Sequence, residues 1–226
     1  MSPGLGWGER CDLQGLYPTA PRRPLIAVHV LEEKPSRWLV EEIVESCRFA
    51  SSMGLGFRAV NVADPRLQAE LSRRGVPWSW DYVEVLGGKC IILDLRAERR
   101  LEPWEASTVE VIVVGGIMGD HPPRGRTYLL ATQYYTVCAG RSLGPVQLSI
   151  DGAVKVASLI AGGANLDEIE VVEGLTIEVE TPLGNVEVEL PFGYPRYKGR
   201  LLKPGFLEDL LSRGILWDEE TMLEPH

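Results

Sequence analysis

Cysteine, histidine and side-chain amides are scarce in this chain, and each shortage excludes something. The four cysteines, Cys11, Cys47, Cys90 and Cys138, lie far apart and never form a CxxC pair, so neither a zinc site nor a redox motif is expected. They are read as small buried hydrophobes. Only His29, His121 and His226 could serve a His-based metal centre, and no metal is expected. Three Asn and four Gln suit a thermophilic source, where heat-labile amides are few. No apolar run approaches the ~20 residues that span a bilayer, and residues 1–23 lack the apolar centre of a signal peptide. A cytoplasmic protein without a membrane partner is the expectation.

What is present is an acidic chain with ample material for a core. Its 226 residues are 45% hydrophobic, enough for one α/β domain with a small appendage. The net charge of −9 disfavours a protein that binds by neutralising many phosphates, a mode that needs clustered Lys and Arg. A basic protein partner fits better than bulk RNA. Between Lys155 and Arg196 no basic residue occurs, while Asp167, Glu168, Glu170, Glu173, Glu178, Glu180, Glu187 and Glu189 are all acidic. That tract is either a solvated face or a docking surface for a basic partner.

Hydrophobic period places the elements. Residues 25–31 (LIAVHVL) read as a strand, and Trp38, Leu39, Ile43, Val44 and Cys47 have the spacing of a helix. Residues 57–62 form a second strand, and Pro65 opens a helix capped by Asp64 that ends near Arg74-Gly75. Residues 90–93 and 109–114 have the β-branched composition of strands buried on both faces of a parallel sheet. A helix over 127–135, a short strand over 136–139 and a helix over 149–160, stopped at Gly162-Gly163, follow. The period then becomes two, predicting an antiparallel hairpin over 175–190 with one apolar and one acidic face. The fold expected is α/β with a mostly parallel sheet. Three regions are expected: an irregular extension over 1–24, the main domain over 25–163, and a hairpin with a helical tail over 164–226.

An apolar run leads straight into GGIMGDHPPRGRT, residues 115–127, so its glycines end a strand, where open α/β sheets bind their ligands. Glycine permits close backbone approach, and Pro122 and Pro123 stiffen the loop. There is no GxxxxGK[ST] and no GxGxxG, which disfavours nucleoside triphosphates and dinucleotides. Asp120 stands where a carboxylate could take a proton, although capping the turn explains it equally. A second loop, RSLGPVQLSID over 141–151, follows the last short strand, with Ser149 a suitable helix N-cap. Two such loops at neighbouring strand ends would make a small-molecule pocket.

At these residues the sequence resembles the SPOUT methyltransferases, and most closely the family of the yeast arginine methyltransferase that acts on a small-subunit ribosomal protein. The resemblance spans about 25–160. It is carried by the 115–127 run and by His29 followed by Glu32, Glu33 and Trp38. Leu93-Asp94-Leu95-Arg96-Ala97, Leu101-Glu102-Pro103, and Arg141-Ser142-Leu143-Gly144 with Gln147 and Asp151 also match. It implies a C-terminal trefoil knot and S-adenosyl-L-methionine as cofactor, held by Gly115, Gly116, Ile117, Gly119, Leu143, Gly144, Gln147 and Ser149. An arginine substrate, protonated near neutrality, needs carboxylates to orient and deprotonate it, and Asp120 with Glu32 or Glu33 are the candidates. Arg124 and Arg126 are candidates to clamp an anionic group of substrate or cofactor. His29 is read as a buried, hydrogen-bonded strand residue. The 1–24 extension, Gly125 and the tail beyond Pro191 depart from the family and bear on substrate choice. The alternatives are a SPOUT methyltransferase of ribosomal or transfer RNA, and a non-catalytic binding protein of ribosome assembly. A monomer and a homodimer are both compatible with the resemblance.

Overall fold

The computed structural model describes Cys11 and residues 24–32, 35–86, 88–117, 127–181 and 184–207. The expected N-terminal extension, apart from Cys11 and Pro24, and the tail beyond residue 207 lie outside these residues. So do Glu33, Gly119, Asp120, Arg124 and Arg126.

Strand β1 (Leu25–Val30) leads to helix α1 (Arg37–Ser52), whose N-cap Ser36 accepts the Leu39 amide through its hydroxyl. Strand β2 (Gly56–Val60) leads to α2 (Pro65–Arg73), started by Asp64, which accepts the amides of Arg66 and Leu67, and by a proline in the first turn. Then come β3 (Cys90–Leu93), α3 (Pro103–Thr108), β4 (Val111–Gly116) and α4 (Thr127–Leu129). Strand β5 (Ala139–Arg141) and helix α5 (Ile150–Ala161) complete the α/β part. A long hairpin, β6 (Ile169–Thr181) and β7 (Gly184–Tyr197), with short β8 (Arg200–Leu201), forms a second sheet.

The first sheet is wholly parallel in the order β2-β1-β4-β3-β5. Its strands present alternate residues to two cores, as the pleat requires. Ile26, Val28, Val30, Ile112 and Val114 pack beneath α1 and α5, while Ala27, Ile92, Val111 and Val113 meet Leu130 and Tyr135 on the other face. The hairpin has the expected two faces. Ile177 and Leu190 are buried against Trp38, Tyr194 and Phe206, whereas Glu178, Glu187 and Glu189 are exposed. No helix among the described residues is long and apolar enough to cross a membrane.

Three expectations need correction. The helix expected over 127–135 winds as α-helix only to Leu129 and then as a π-helical turn, Leu130–Tyr134. The strand expected over 136–139 sits later, at Ala139–Arg141, because pairing with β3 starts at Ile91 opposite Ala139. Cys11, Cys47 and Cys90 are buried and Cys138 half-buried, but none is free: Cys11 is bonded to Cys47 and Cys90 to Cys138. The second bridge follows from the same register, which sets Cys90 and Cys138 side by side one residue before the first pair. Spacing along the chain carried no sign of either bridge.

Candidate functional site

The glycines of the first loop end β4, with Gly115 opposite His29 and Gly116 opposite Val30 of β1. A Cβ on Gly116 would lie 2.8 Å from the His29 carbonyl, and one on Gly115 would lie 3.2 Å from the Thr127 side chain. Sheet and helix packing therefore account for the missing side chains at both positions. Ile117, half-buried, is the last described residue before the loop continues. The Leu31 amide donates to the Gly116 carbonyl at 3.1 Å, and Glu32, half-buried, follows it beside the end of β4.

The second loop leaves β5 two strands away from β4, with β3 between them. The two glycine loops thus do not stand at neighbouring strand ends. The turn at the end of β3 lies between them, and there the buried Asp94 carboxylate accepts the Arg96 amide at 3.0 Å. The Arg96 guanidinium stands 5.4 Å from the centre of the Tyr128 ring. Asp94 belongs to the LDLRA match but carried no role in the sequence. Its place between the loops appears only once the strand order is known.

Along the second loop, Arg141 is structural. Its Nε donates to Glu105 of α3 at 2.8 Å, a second guanidinium nitrogen completes that pair, and the ion pair holds the Glu105 carboxyl below its usual range. Leu143 is half-buried against the main core. Gly144 has φ +104°, a conformation costly for residues with a Cβ, and nothing lies within 4 Å of where a Cβ would be. That open wall is what close approach by a ligand requires. The Gln147 carbonyl accepts the Gly193 amide of β7 at 2.8 Å. Ser149 caps α5 by accepting the Gly152 amide at 3.1 Å, and its hydroxyl proton goes to Asp151 at 2.7 Å.

Two of the buried polar groups beneath the loops stand out. On one face His29 is fully buried, with Nδ1 2.7 Å from the Tyr135 hydroxyl and the rings of Tyr82 and Tyr134 around it. Burial pushes its pKa down to about 4, so the imidazole is neutral, as a structural residue would be. On the other face Glu42 of α1 is buried against the start of α5. Sequence reasoning passed over it among the glutamates of α1. The available signal was spacing: Leu39, Glu42, Ile43 and Ser46 share one helical face, and a carboxylate on an apolar stripe needs partners.

Residues 25–216 match the family described as SFM1-like protein arginine N-methyltransferases. The chain is 27% identical over 198 residues to protein arginine N-methyltransferase SFM1 of Saccharomyces cerevisiae, covering 81% of this chain and 92% of the yeast protein. The crystal structure of yeast SFM1 complexed with SAH superposes with a TM-score of 0.69 at 26% identity, covering 83% of this chain and 94% of that one. The SFM1 structure complexed with SAM gives a TM-score of 0.73 at 24% identity over 90% of this chain and 94% of that one, a likeness of fold. These relatives are SPOUT-class proteins.

Proposed function

We propose that this chain, which belongs to the SFM1-like family of protein arginine N-methyltransferases, transfers a methyl group from S-adenosylmethionine to an arginine of a basic protein, a small-subunit ribosomal protein being the first candidate. The observation that carries the reading is the family match over 25–216, which takes in every strand and loop of the site. In this reading the adenosyl group lies between the loop after β4, with Gly115, Gly116, Ile117 and Gly119, and the loop after β5, with Leu143, Gly144, Gln147 and Ser149.

Transfer is an in-line displacement: a guanidino nitrogen forms the new C–N bond as the methyl–sulfur bond breaks and the sulfonium becomes a neutral thioether. The nitrogen must lose a proton, and guanidinium does not release one near neutrality unaided. Asp120 with Glu32 or Glu33 orients the guanidinium and receives that proton, while Arg124 and Arg126 clamp an anionic group such as the cofactor carboxylate. The neutral His29, engaged with Tyr135, takes no part as a base.

The acidic hairpin favours a basic polypeptide over RNA. Glu178 and Glu187, both exposed, stand directly opposite one another in the β6–β7 register. Like charges so placed are unfavourable unless a cation lies across them. A C-terminal trefoil knot belongs to the same proposal, supported by the SPOUT-class relatives and by the parallel order in which β4 separates β1 from β3. A cytoplasmic location also belongs to it. Paired cysteines are rare there except in hyperthermophiles, which agrees with the scarcity of Asn and Gln. Sedimentation of the purified protein distinguishes monomer from homodimer.

Ribosomes incubated with the protein and methyl-labelled cofactor, then split into protein and RNA fractions, test the reading. Label in a polypeptide that maps to methylarginine supports it, and label confined to RNA overturns it in favour of an RNA methyltransferase. No cofactor binding at millimolar concentration by calorimetry would leave a non-catalytic assembly protein.

A further inference from the structure

Under the end of the 141–149 loop, α1, α5 and the C-terminal hairpin meet around buried charge. The Glu42 carboxyl group accepts the Trp38 indole N–H through one oxygen at 2.9 Å and the Ile150 amide through the other at 3.1 Å. Asp151, fully buried, accepts the Ser149 hydroxyl at 2.7 Å and the Lys155 ammonium at 2.8 Å. Lys155 also lies 3.1 Å from Glu45 and donates to the Leu202 carbonyl at 3.2 Å. Trp38 packs edge-on against Phe206, ring centres 5.7 Å apart, in the cluster that contains Tyr194, Ile177 and Leu190 of the hairpin.

We propose that Glu42 is a positioning residue: by bonding the first amide of α5 and the Trp38 indole together, it sets the end of the 141–149 loop relative to the hairpin and thereby tunes the loop's hold on the adenosyl group. This rests on the reading that the 141–149 loop binds the cofactor. Glu42 touches no reacting atom in this scheme and acts through the loop.

The charges around Glu42 make the clamp sensitive to pH. From α5 it faces Asp151 and Lys155, the latter paired with Glu45 of α1, and from β7 Tyr194, whose hydroxyl is itself pushed up by burial and by Asp151 and Glu42. Burial would lower the Lys155 ammonium, but Asp151 and Glu45 outweigh it, so Lys155 stays charged. One ammonium cannot balance Glu42, Asp151 and Glu45 together. Burial and then Asp151 push the Glu42 carboxyl up to about 8, and it holds its proton at neutral pH. Above that pH the new carboxylate accepts from Trp38 and Ile150 more strongly, but burial and the repulsion by Asp151 outweigh those bonds, so the clamp is held against a net cost.

Titration of the intact protein with S-adenosylhomocysteine across pH 6.5 to 9.5 tests the proposal. The dissociation constant of the wild type should rise roughly tenfold with a midpoint near Glu42's own titration. Glu42→Gln, which cannot ionise and whose NH2 can no longer accept one of the two N–H donors, should flatten that rise and bind more weakly than wild type at pH 7. Trp38→Phe, which removes the indole donor to the carboxyl along with part of the ring packed on Phe206, should move the midpoint upward. At saturating cofactor, kcat should change little in either variant, as for loss of uniform binding. A flat wild-type profile, or an unchanged midpoint in Glu42→Gln, overturns the role of Glu42. Absence of any binding by wild type overturns the cofactor reading instead.

Discussion

Gly193 of β7 donates its backbone N–H to the carbonyl of Gln147 at 2.8 Å, so the antiparallel hairpin holds the loop that follows the last parallel strand. The approach is close enough to forbid a side chain. A Cβ on Gly193 would lie 2.6 Å from Val171 Cγ1 and 2.7 Å from Val146 Cγ1. Gly193→Ala should therefore cost about 1–3 kcal/mol of stability, as overpacking does, and weaken cofactor binding through the displaced loop. Urea denaturation and calorimetry measure the two effects. Unchanged affinity in a destabilised variant would show the loop to be independent of the hairpin.

Pocket and chemistry should separate between Gly144 and Asp120. Gly144→Val places a branched side chain at φ +104° in the open space of the loop, and it should abolish cofactor binding. Asp120→Ala should bind cofactor yet lose at least about a hundredfold in transfer, the usual scale of acid–base assistance. Full turnover by Asp120→Ala would remove that residue from the mechanism.

His29 sets a pH dependence of stability. Its pKa falls from 6.5 to about 4 on burial, so between those values the unfolded chain binds the proton more readily. Stability from this residue is complete above pH 6.5 and lost as pH falls toward 4, by about 3 kcal/mol over the window. Glu42, with a raised pKa, acts in the opposite sense, its contribution falling as pH rises from 4.5 to about 8. The comparison must therefore be made variant against wild type at each pH. His29→Phe should be less stable at pH 7.5 by about 1–3 kcal/mol, because the buried Tyr135 hydroxyl loses its partner. The deficit should shrink at pH 5, and an equal deficit at both would refute the assignment.

The disulfides should dominate resistance to unfolding. Each closes a long stretch, with sequence separations of 36 and 48, worth about 4 kcal/mol by loop-closure entropy. Thiol titration of the unreduced, denatured protein should find no free cysteine. Thermal melting with and without reductant should show a large fall in Tm, and equal melting temperatures would mean the bridges contribute little.

Much of the architecture was legible because its signals are local. The run LIAVHVL, the Asp64-Pro65 start of α2, the Ser149 cap and the alternation on either side of residues 181–185 each announce an element within a few residues. Gly144, named from the motif, has φ +104° and open space where a side chain would stand. The π-helical turn at Leu130–Tyr134 was not legible, since its residues carry ordinary helical spacing.

By itself, then, the sequence determined the class of fold, the two glycine loops and the family's chemistry, because period, caps and motifs act between near neighbours. Only the tertiary structure decided that β3 stands between those loops, that Cys90 meets Cys138, and that Glu42 reaches Ile150 across 108 positions. Those relationships depend on which strands pair and in what register. Strand pairing is a property of the whole core rather than of any one segment.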